Sequence, residues 1–304
     1  MTTTTTTTIS EMVQSEWISP AIQMASKDAA VVFRFAKDHD RTEPGAAAKV
    51  RLVREVSDVD DQNAIDALDQ AEGDDITATA FNTTDVEFDP SEYGIARDVT
   101  DDSVEDGVLG MGLYEYLVTS AGQDLAIGFD DDLASLLAGF STTVGTSGQD
   151  MELADMAEAV SKLDDANMNE GGGAVFVLGA NQKFNLLTKA QAGQGTLLAD
   201  FVSIAGSEEG NPASFVGRYL QYPIWYSTLT DTANTGDDTT GALFVRGDEG
   251  RNPRSAAIAT SVKRHPRPEL DRDASGRITE VVVTMRRGSA ENIDDSGVSI
   301  VTTV

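Results

Sequence analysis

From Val104 onward, apolar or aromatic residues stand at Val104, Val108, Met111, Tyr114, Val118, Ala121, Leu125, Phe129, Leu133, Leu136 and Phe140. Every step is three or four residues, the period of one helical face. The spacing predicts a single long helix of about 55 Å at 1.5 Å per residue, roughly the width of a domain. Asp101 and Asp102 put carboxylates where first-turn amides lack partners, and Asp102 with Glu105 has capping-box spacing. Gly139 opens the run GFSTTVGTSG, which cannot continue a helix. Gly107, Gly110, Gly112, Gly122 and Gly128 lie inside it, each costing about 1 kcal/mol against Ala. A bend or break is therefore expected between Gly107 and Gly112.

Ahead of this helix, Met1 to Ser10 is a low-complexity threonine run expected to order only on contact with a partner. Glu11 to Ala36 is hydrophobic without clear period, which predicts a segment that docks on something. AKVRLVREV alternates at Val50, Leu52 and Val56, and DITATAF at Ile76, Ala78 and Ala80, so two strands of a hairpin are predicted with an acidic tip. The tip, about 18 residues, is far longer than the usual two to five. Asp85 to Val99 alternates again and predicts a strand leading into the helix.

Beyond the linker, Leu153, Met156, Val160 and Leu163 mark a second helix that ends at Gly171 to Gly173. Ala174 to Leu178 is an unbroken apolar run, the mark of a strand covered on both faces. ANQKFNLLTKAQ predicts a short helix with Phe184 and Leu187 inward. RYLQYPIWYSTL is a strand whose Pro223 implies an edge or a bulge, and ALFVRGD is another; TDTANTGDDTTG between them is an exposed acidic tip. SAAIATSV, RITEVVVTM and VSIVTTV close the chain as strands, with KRHPRPELDRDASG expected as a polar, mobile turn.

Charge narrows the functions available. The chain of 304 residues has 51 acidic residues against 22 basic ones, for a net charge of −29. Such a surface repels phosphates and disfavours broad nucleic-acid contact. Scarce Lys and short Asp runs give the composition a resemblance to proteins of salt-loving archaea, an ordinary acidic protein being the plainer reading. There is no Cys, and His39 and His265 are the only histidines, so thiolate chemistry is excluded and a histidine triad is disfavoured. No apolar run approaches the ~20 residues of a membrane span, and MTTTTTTTIS lacks the features of a secretory signal. A soluble protein of the cell interior, or of something assembled there, is expected.

The order of arm, long hairpin, strand, long helix, polar linker, compact α/β part and return strands resembles the major capsid proteins of tailed viruses, the Hong Kong 97-type fold. The resemblance rests on the hairpin Glu43 to Asp85, YGIARDVTDD, AVFVLGANQKFNLL, VGRYLQYPIWYS and MRRGSAENIDDSGVSIVTTV. It implies an α+β chain with an N-terminal arm at 1–42, an extended loop at 43–85 and a peripheral domain with the spine helix at 86–145. An axial domain at 146–252 and return strands of the peripheral domain at 253–304 complete it. It further implies an icosahedral shell of hexamers and pentamers around double-stranded DNA, bound without sequence specificity. A virion location, assembly in the host cytoplasm, a separate scaffolding protein, a portal and cement proteins belong to the same picture, with no catalysis and no membrane. Encapsulin-type compartments share the fold and are the first alternative; an acidic metal-dependent hydrolase is a remote one. Some relatives cross-link a hairpin Lys to an Asn, for which only Lys49 and Asn292 are conceivable here.

No catalytic, cofactor or metal residues are predicted. The runs Asp58 to Asp61, Asp74 to Asp75, Asp130 to Asp132 and Asp237 to Asp238 could offer oxygen ligands, but none has calcium-loop spacing and a solvated face is expected. The pairs Glu208/Glu209 and Asp164/Asp165 lack an apolar surrounding for acid/base work. Arg246-Gly247-Asp248 is a chance tripeptide, Gly193 and Gly195 do not follow a strand, and Asn82-Thr83-Thr84 lacks the context of a glycosylated chain. Lys263, Arg264 and Arg267 form the basic cluster, facing DNA, a neighbour's carboxylates or, preferentially, solvent.

Overall fold

A computed structural model describes residues 30–40, 50–55, 83–107, 112–166, 173–191, 214–230, 232–233, 238–247 and 256–303. The strands are β1 (Lys37–Asp40), β2 (Val50–Glu55), β3 (Thr83–Phe88), β4 (Ser91–Thr100), β5 (Thr143–Val144), β6 (Ala174–Leu178) and β7 (Phe215–Tyr219), then β8 (Tyr222–Tyr226), β9 (Thr232–Ala233), β10 (Asp238–Val245), β11 (Ile258–Asp273), β12 (Ile278–Glu291) and β13 (Gly297–Thr303). The helices are α1 (Asp101–Glu105), α2 (Gly112–Leu136), α3 (Leu153–Asp165) and α4 (Ala180–Gln191).

Two larger sheets and one isolated ladder organise these elements. One sheet has the order β1-β11-β12-β4; the other runs β5-β13-β10-β6-β8-β7 with β9 beside β10; β2 and β3 pair alone. In β12, Val281, Val283 and Met285 alternate with half-buried residues, the period-two signature of a strand covered on one face. That face meets Val118, Ala121, Leu125, Phe129 and Leu133 of α2 in one core cluster.

The central strands of the second sheet separate two cores. Val175 and Val177 of β6 with Ala242 and Phe244 of β10 face the α2 core. Ala174, Phe176 and Leu178 with Leu243 and Val245 face a second core built with Met156, Ala159 and Leu163 of α3. Alternation between two apolar environments is why AVFVL reads as a continuous run.

The long helix is divided. Thr100 caps α1, its side chain accepting from the amide of Ser103 at 3.3 Å, so the predicted cap at Asp102 lies two residues too late. Asp101 instead pairs with Arg272. At Gly107 any Cβ would collide with the carbonyl oxygen of Ser103, and α2 begins beyond it at Gly112. The resemblance implies a spine helix from Gly94 to Phe140, yet residues 94–100 are the end of β4.

Other expectations change with the fold. Asp85 to Val99 is two strands interrupted at Asp89 and Pro90, and β2 pairs with β3, Val50 opposite Phe88 through Glu55 opposite Thr83; Ile76 to Ala80 lies outside the described residues. The stretch taken for a mobile turn at 263–276 is mostly strand, since β11 pairs with β12 from Ile258↔Glu291 to Asp273↔Ile278, with bulges between Val262 and Arg267. Pro223 sits in β8 between β6 and β7 rather than at an edge; the predicted bulge is in β7, at Phe215 to Gly217. β13 joins the second sheet between β5 and β10, not the sheet of β11 and β12.

The hydrophobic segment Val31 to Phe35 docks on the chain's own core. Val31, Val32, Phe35 and Ala36 are buried there. The Phe35 ring stands edge-on to Trp225 at 5.5 Å and Phe244 at 6.4 Å. Arg34 lies over Trp225, Arg246 over Phe35, and Arg287 over Phe33, cation–π contacts that are strongest where water is excluded.

Candidate assembly surfaces

Among the described residues, no group of three His, Asp or Glu side chains is placed to hold a metal ion, and no helix is long and apolar enough to cross a membrane. The chemistry on view is that of contact and support.

The β2–β3 ladder is rooted by one side chain. Phe88 is fully buried among Ala259, Val86 and Ala290, with the His39 ring 6.1 Å away. The ladder therefore meets the first sheet through Phe88 and through Asp89 and Pro90, which join β3 to β4. His39 is half-buried there rather than exposed.

Acidic residues expected in solvent serve as internal braces. Asp130 is completely buried in α2 and accepts from the amides of Val31 at 3.0 Å and Phe33 at 2.8 Å. Burial pushes its carboxyl above the ordinary range, with the amides pulling the other way. Asp238, also buried, accepts from the amide of Gly148 at 2.8 Å, so the acidic tip expected at 230–241 ends in the interior, with Thr239 and Thr240 buried beside it. Asp132, by contrast, takes the phenol hydrogen of Tyr93 at 2.6 Å on the surface, and partial burial with this bond raises the phenol's pKa.

The exposed braces are mixed-charge pairs. Arg272 meets Asp101 at 2.5 and 2.7 Å, holding the Asp101 carboxyl below its ordinary range. Arg97 pairs with Asp124 across β4 and α2. Of the basic cluster, Arg264 bonds Glu92 at 2.5 Å and Arg267 faces Glu269 at 3.6 Å. Both cations, on β11, thus sit against carboxylates of their own chain, Glu92 on β4 and Glu269 on β11 itself, and the cluster is a strand, not a loop.

The remaining sequence candidates divide sharply. Asn292 donates its amide hydrogen to the Ala256 carbonyl at 2.8 Å, and neighbouring Glu291 is raised by burial and by Asp294; Lys49 lies outside the described residues. Asp164 and Asp165 end α3 on its surface. Gly247 donates to the Phe35 carbonyl at 2.8 Å, so the tripeptide at 246–248 is a structural junction whose Asp248 is outside the described residues. Glu208, Glu209, Gly193, Gly195, Asn82, Asp58 to Asp61, Asp74, Asp75 and Asp237 are outside them too.

Sequence reasoning missed Gln182. Its buried side chain accepts from the Gly179 amide at 3.0 Å and donates to the carbonyls of Thr239 at 3.2 Å and Ile300 at 2.9 Å. One amide thus bolts α4 to β10 and β13. With Gln182 and Leu186 turned inward, Phe184 and Leu187 face outward, 63% and 39% exposed, against the orientation predicted for them. Leu220, at the tip of the β7–β8 turn with φ 55°, is 62% exposed, and Tyr116 and Ile127 on α2 complete the exposed large apolar residues among those described.

No family model matches the chain, and no curated protein matches it in sequence. Solved structures do match in shape. A Mycobacterium phage Che8 structure is similar over 89% of this chain and 90% of its own, with TM-score 0.62 and 20% identity. The capsid of Ralstonia phage GP4 is similar over 89% and 87%, with TM-score 0.63 and 13% identity. The holo-SrpI encapsulin complex from Synechococcus elongatus PCC 7942 is similar over 88% and 85%, with TM-score 0.56 and 11% identity. The chain has the Hong Kong 97-type shell fold, mixed α and β.

Proposed function

We propose that this protein is a shell subunit, the major capsid protein of a tailed double-stranded DNA virus. The observation that carries the reading is the likeness in fold, over 89% of the chain, to the capsid of Ralstonia phage GP4. Copies form hexamers and pentamers, the β2–β3 ladder and the residues before Ala30 reach over neighbours, and the first sheet with α2 acts as the peripheral part while the second acts as the axial part. The shell encloses DNA without reading its sequence, in keeping with a net charge of −29. A separate scaffolding protein, a portal and cement proteins accompany it, assembly takes place in the host cytoplasm, and the acidic, Lys-poor composition points to a haloarchaeal host.

The second reading, an encapsulin-type compartment, is favoured by the likeness to the encapsulin above. Negative-stain microscopy of the expressed chain in molar salt tests both: capsomers or closed particles are expected. A stable monomer under all salt conditions would overturn them together. Particles that package a co-expressed enzyme in place of DNA would select the compartment.

A further inference from the structure

We propose that Phe184 on α4 of one copy docks against the Leu220 turn of the next, a head-to-tail contact that joins copies into a ring; the proposal rests on the shell reading above. The constraint is electrostatic. A chain of net charge −29 can touch itself only where carboxylates are not brought face to face. Around Phe184, the helical neighbours at three and four residues are Ala180, Asn181, Leu187 and Thr188, and α4 itself contains no Asp or Glu; the Asp150 carboxylate that approaches the helix accepts from the Asn185 side-chain amide at 3.2 Å. Leu220 lies between Tyr219 and Gln221. Among the other exposed large apolar residues described, Ile127 fails this condition, since Asp124 and Asp131 lie on its own helical face; Tyr116 meets it but sits on α2, which packs against β4 and β12 of the first sheet rather than on the sheet that carries Leu220.

The two sites also lie apart on one domain, as a head-to-tail contact requires. β6 and β8 run parallel, Phe176 beside Ile224 and Leu178 beside Tyr226. The Leu220 turn precedes β8 at the end where β6 starts, whereas α4 follows the other end of β6. Lys183 fixes that placement, its ammonium lying 3.4 Å from the Tyr226 ring centroid, with Phe184 the next residue. Leu220 is six residues from Tyr226, roughly 20 Å of extended strand. Two different patches on separate ends of a domain make a heterologous contact, which closes into a ring when the rotation between copies allows. Leu220 also adopts a positive φ that a branched residue rarely takes, so the turn holds a bulky apolar side chain outward where Gly or Asn would be easier.

The absence of Cys makes the test clean. The full chain carrying Phe184→Cys with Leu220→Cys is assembled in molar salt, oxidised and run on a non-reducing gel. A ladder of disulfide-linked multimers is expected, absent from each single variant. Particles that form normally and give only monomer bands would overturn the contact while leaving the shell reading intact. Dimers from one single variant would also overturn it, by showing a symmetric pairing. If the wild-type chain makes no particles and the double variant no ladder, the shell reading falls and the contact with it. As a second measurement, Phe184→Glu and Leu220→Glu are each expected to leave the monomer's melting temperature within a few degrees of wild type and to abolish rings; rings retained in both variants would count against the proposal.

Discussion

The carboxylate of Asp130, in the middle of α2, accepts hydrogen bonds from the backbone of Val31 and Phe33, 99 and 97 residues earlier in the chain. This fixes the segment that wedges Phe35 between the spine helix and the second sheet. Removing the carboxylate leaves one buried and one part-buried amide without this partner, the buried one costing about 1–3 kcal/mol and the other less. Asp130→Ala is expected to destabilise the fold by roughly 3 kcal/mol, and Asp130→Asn by less, because one acceptor oxygen remains. Denaturant unfolding checks the order, and equal losses in the two variants would remove the role given to the amides.

The pH dependence of the same residue has a definite sign. Burial raises its folded pKa above the ordinary value, so the folded state binds the proton more tightly than the unfolded chain. Its contribution is greatest below the unfolded pKa and is lost as pH rises through the folded one. Wild type should therefore gain stability relative to Asp130→Asn as pH falls from neutral toward 4. A flat difference curve over that window would contradict the shift.

Asp101 behaves oppositely. Arg272 lowers its folded pKa, so its contribution is present above the unfolded value of about 3.9 and fades as pH falls below it. Both side chains are about one-third exposed, which lets salt screen the pair. Asp101→Asn is expected to lower the melting temperature at neutral pH and low salt, to lose that effect in acid, and to lose much of it in molar salt. Calorimetry at three pH values and two salt concentrations reads all of this.

How much of this could be read from the chain follows from which faces are buried. The α2 stripe and AVFVL are legible because apolar residues recur along those faces at the period of a helix and as an unbroken strand run. Asp130 was grouped with its neighbours as a solvated run, yet it lies four residues after Ala126 and three before Leu133, on the same helical face; spacing could have placed it inside. α4 misled because its true inward position is Gln182, a polar residue whose partners are main-chain carbonyls of strands over fifty residues away. Phe184 and Leu187 were the apolar pair at helical spacing, and hydrophobicity alone assigned them to the core. β11 reads as a turn for its charges and two prolines, but its apolar partner is supplied by β12, and beyond Val262 no described strand pairs on its other side, where proline is tolerated.

Gln182 is a second test of buried polar satisfaction. Gln182→Leu keeps the volume but strands the Gly179 amide and the carbonyls of Thr239 and Ile300, for an expected loss of about 3 kcal/mol. The damage should be local, with amide exchange accelerated at 179–186 and 239–241 more than in β12. Uniform acceleration across both sheets would mean that α4 is not held by this side chain.

Phe88 decides whether the projecting ladder keeps its direction. Truncating a fully buried phenylalanine costs about 3–5 kcal/mol when the whole fold depends on it. Here the apolar cluster around it is small, Ala259, Val86 and Ala290, separate from the two main cores, so Phe88→Ala is expected to free β2 and β3 while the two larger sheets keep their melting temperature within a few degrees. Hydrogen exchange should show protection lost at 50–55 and 83–88 alone. In the shell reading the same variant yields capsomers that fail to close, since a ladder without a fixed root cannot lie over a neighbour. Closed particles of normal size from Phe88→Ala would show that the neighbour, and not the chain's own sheet, sets the direction of the ladder.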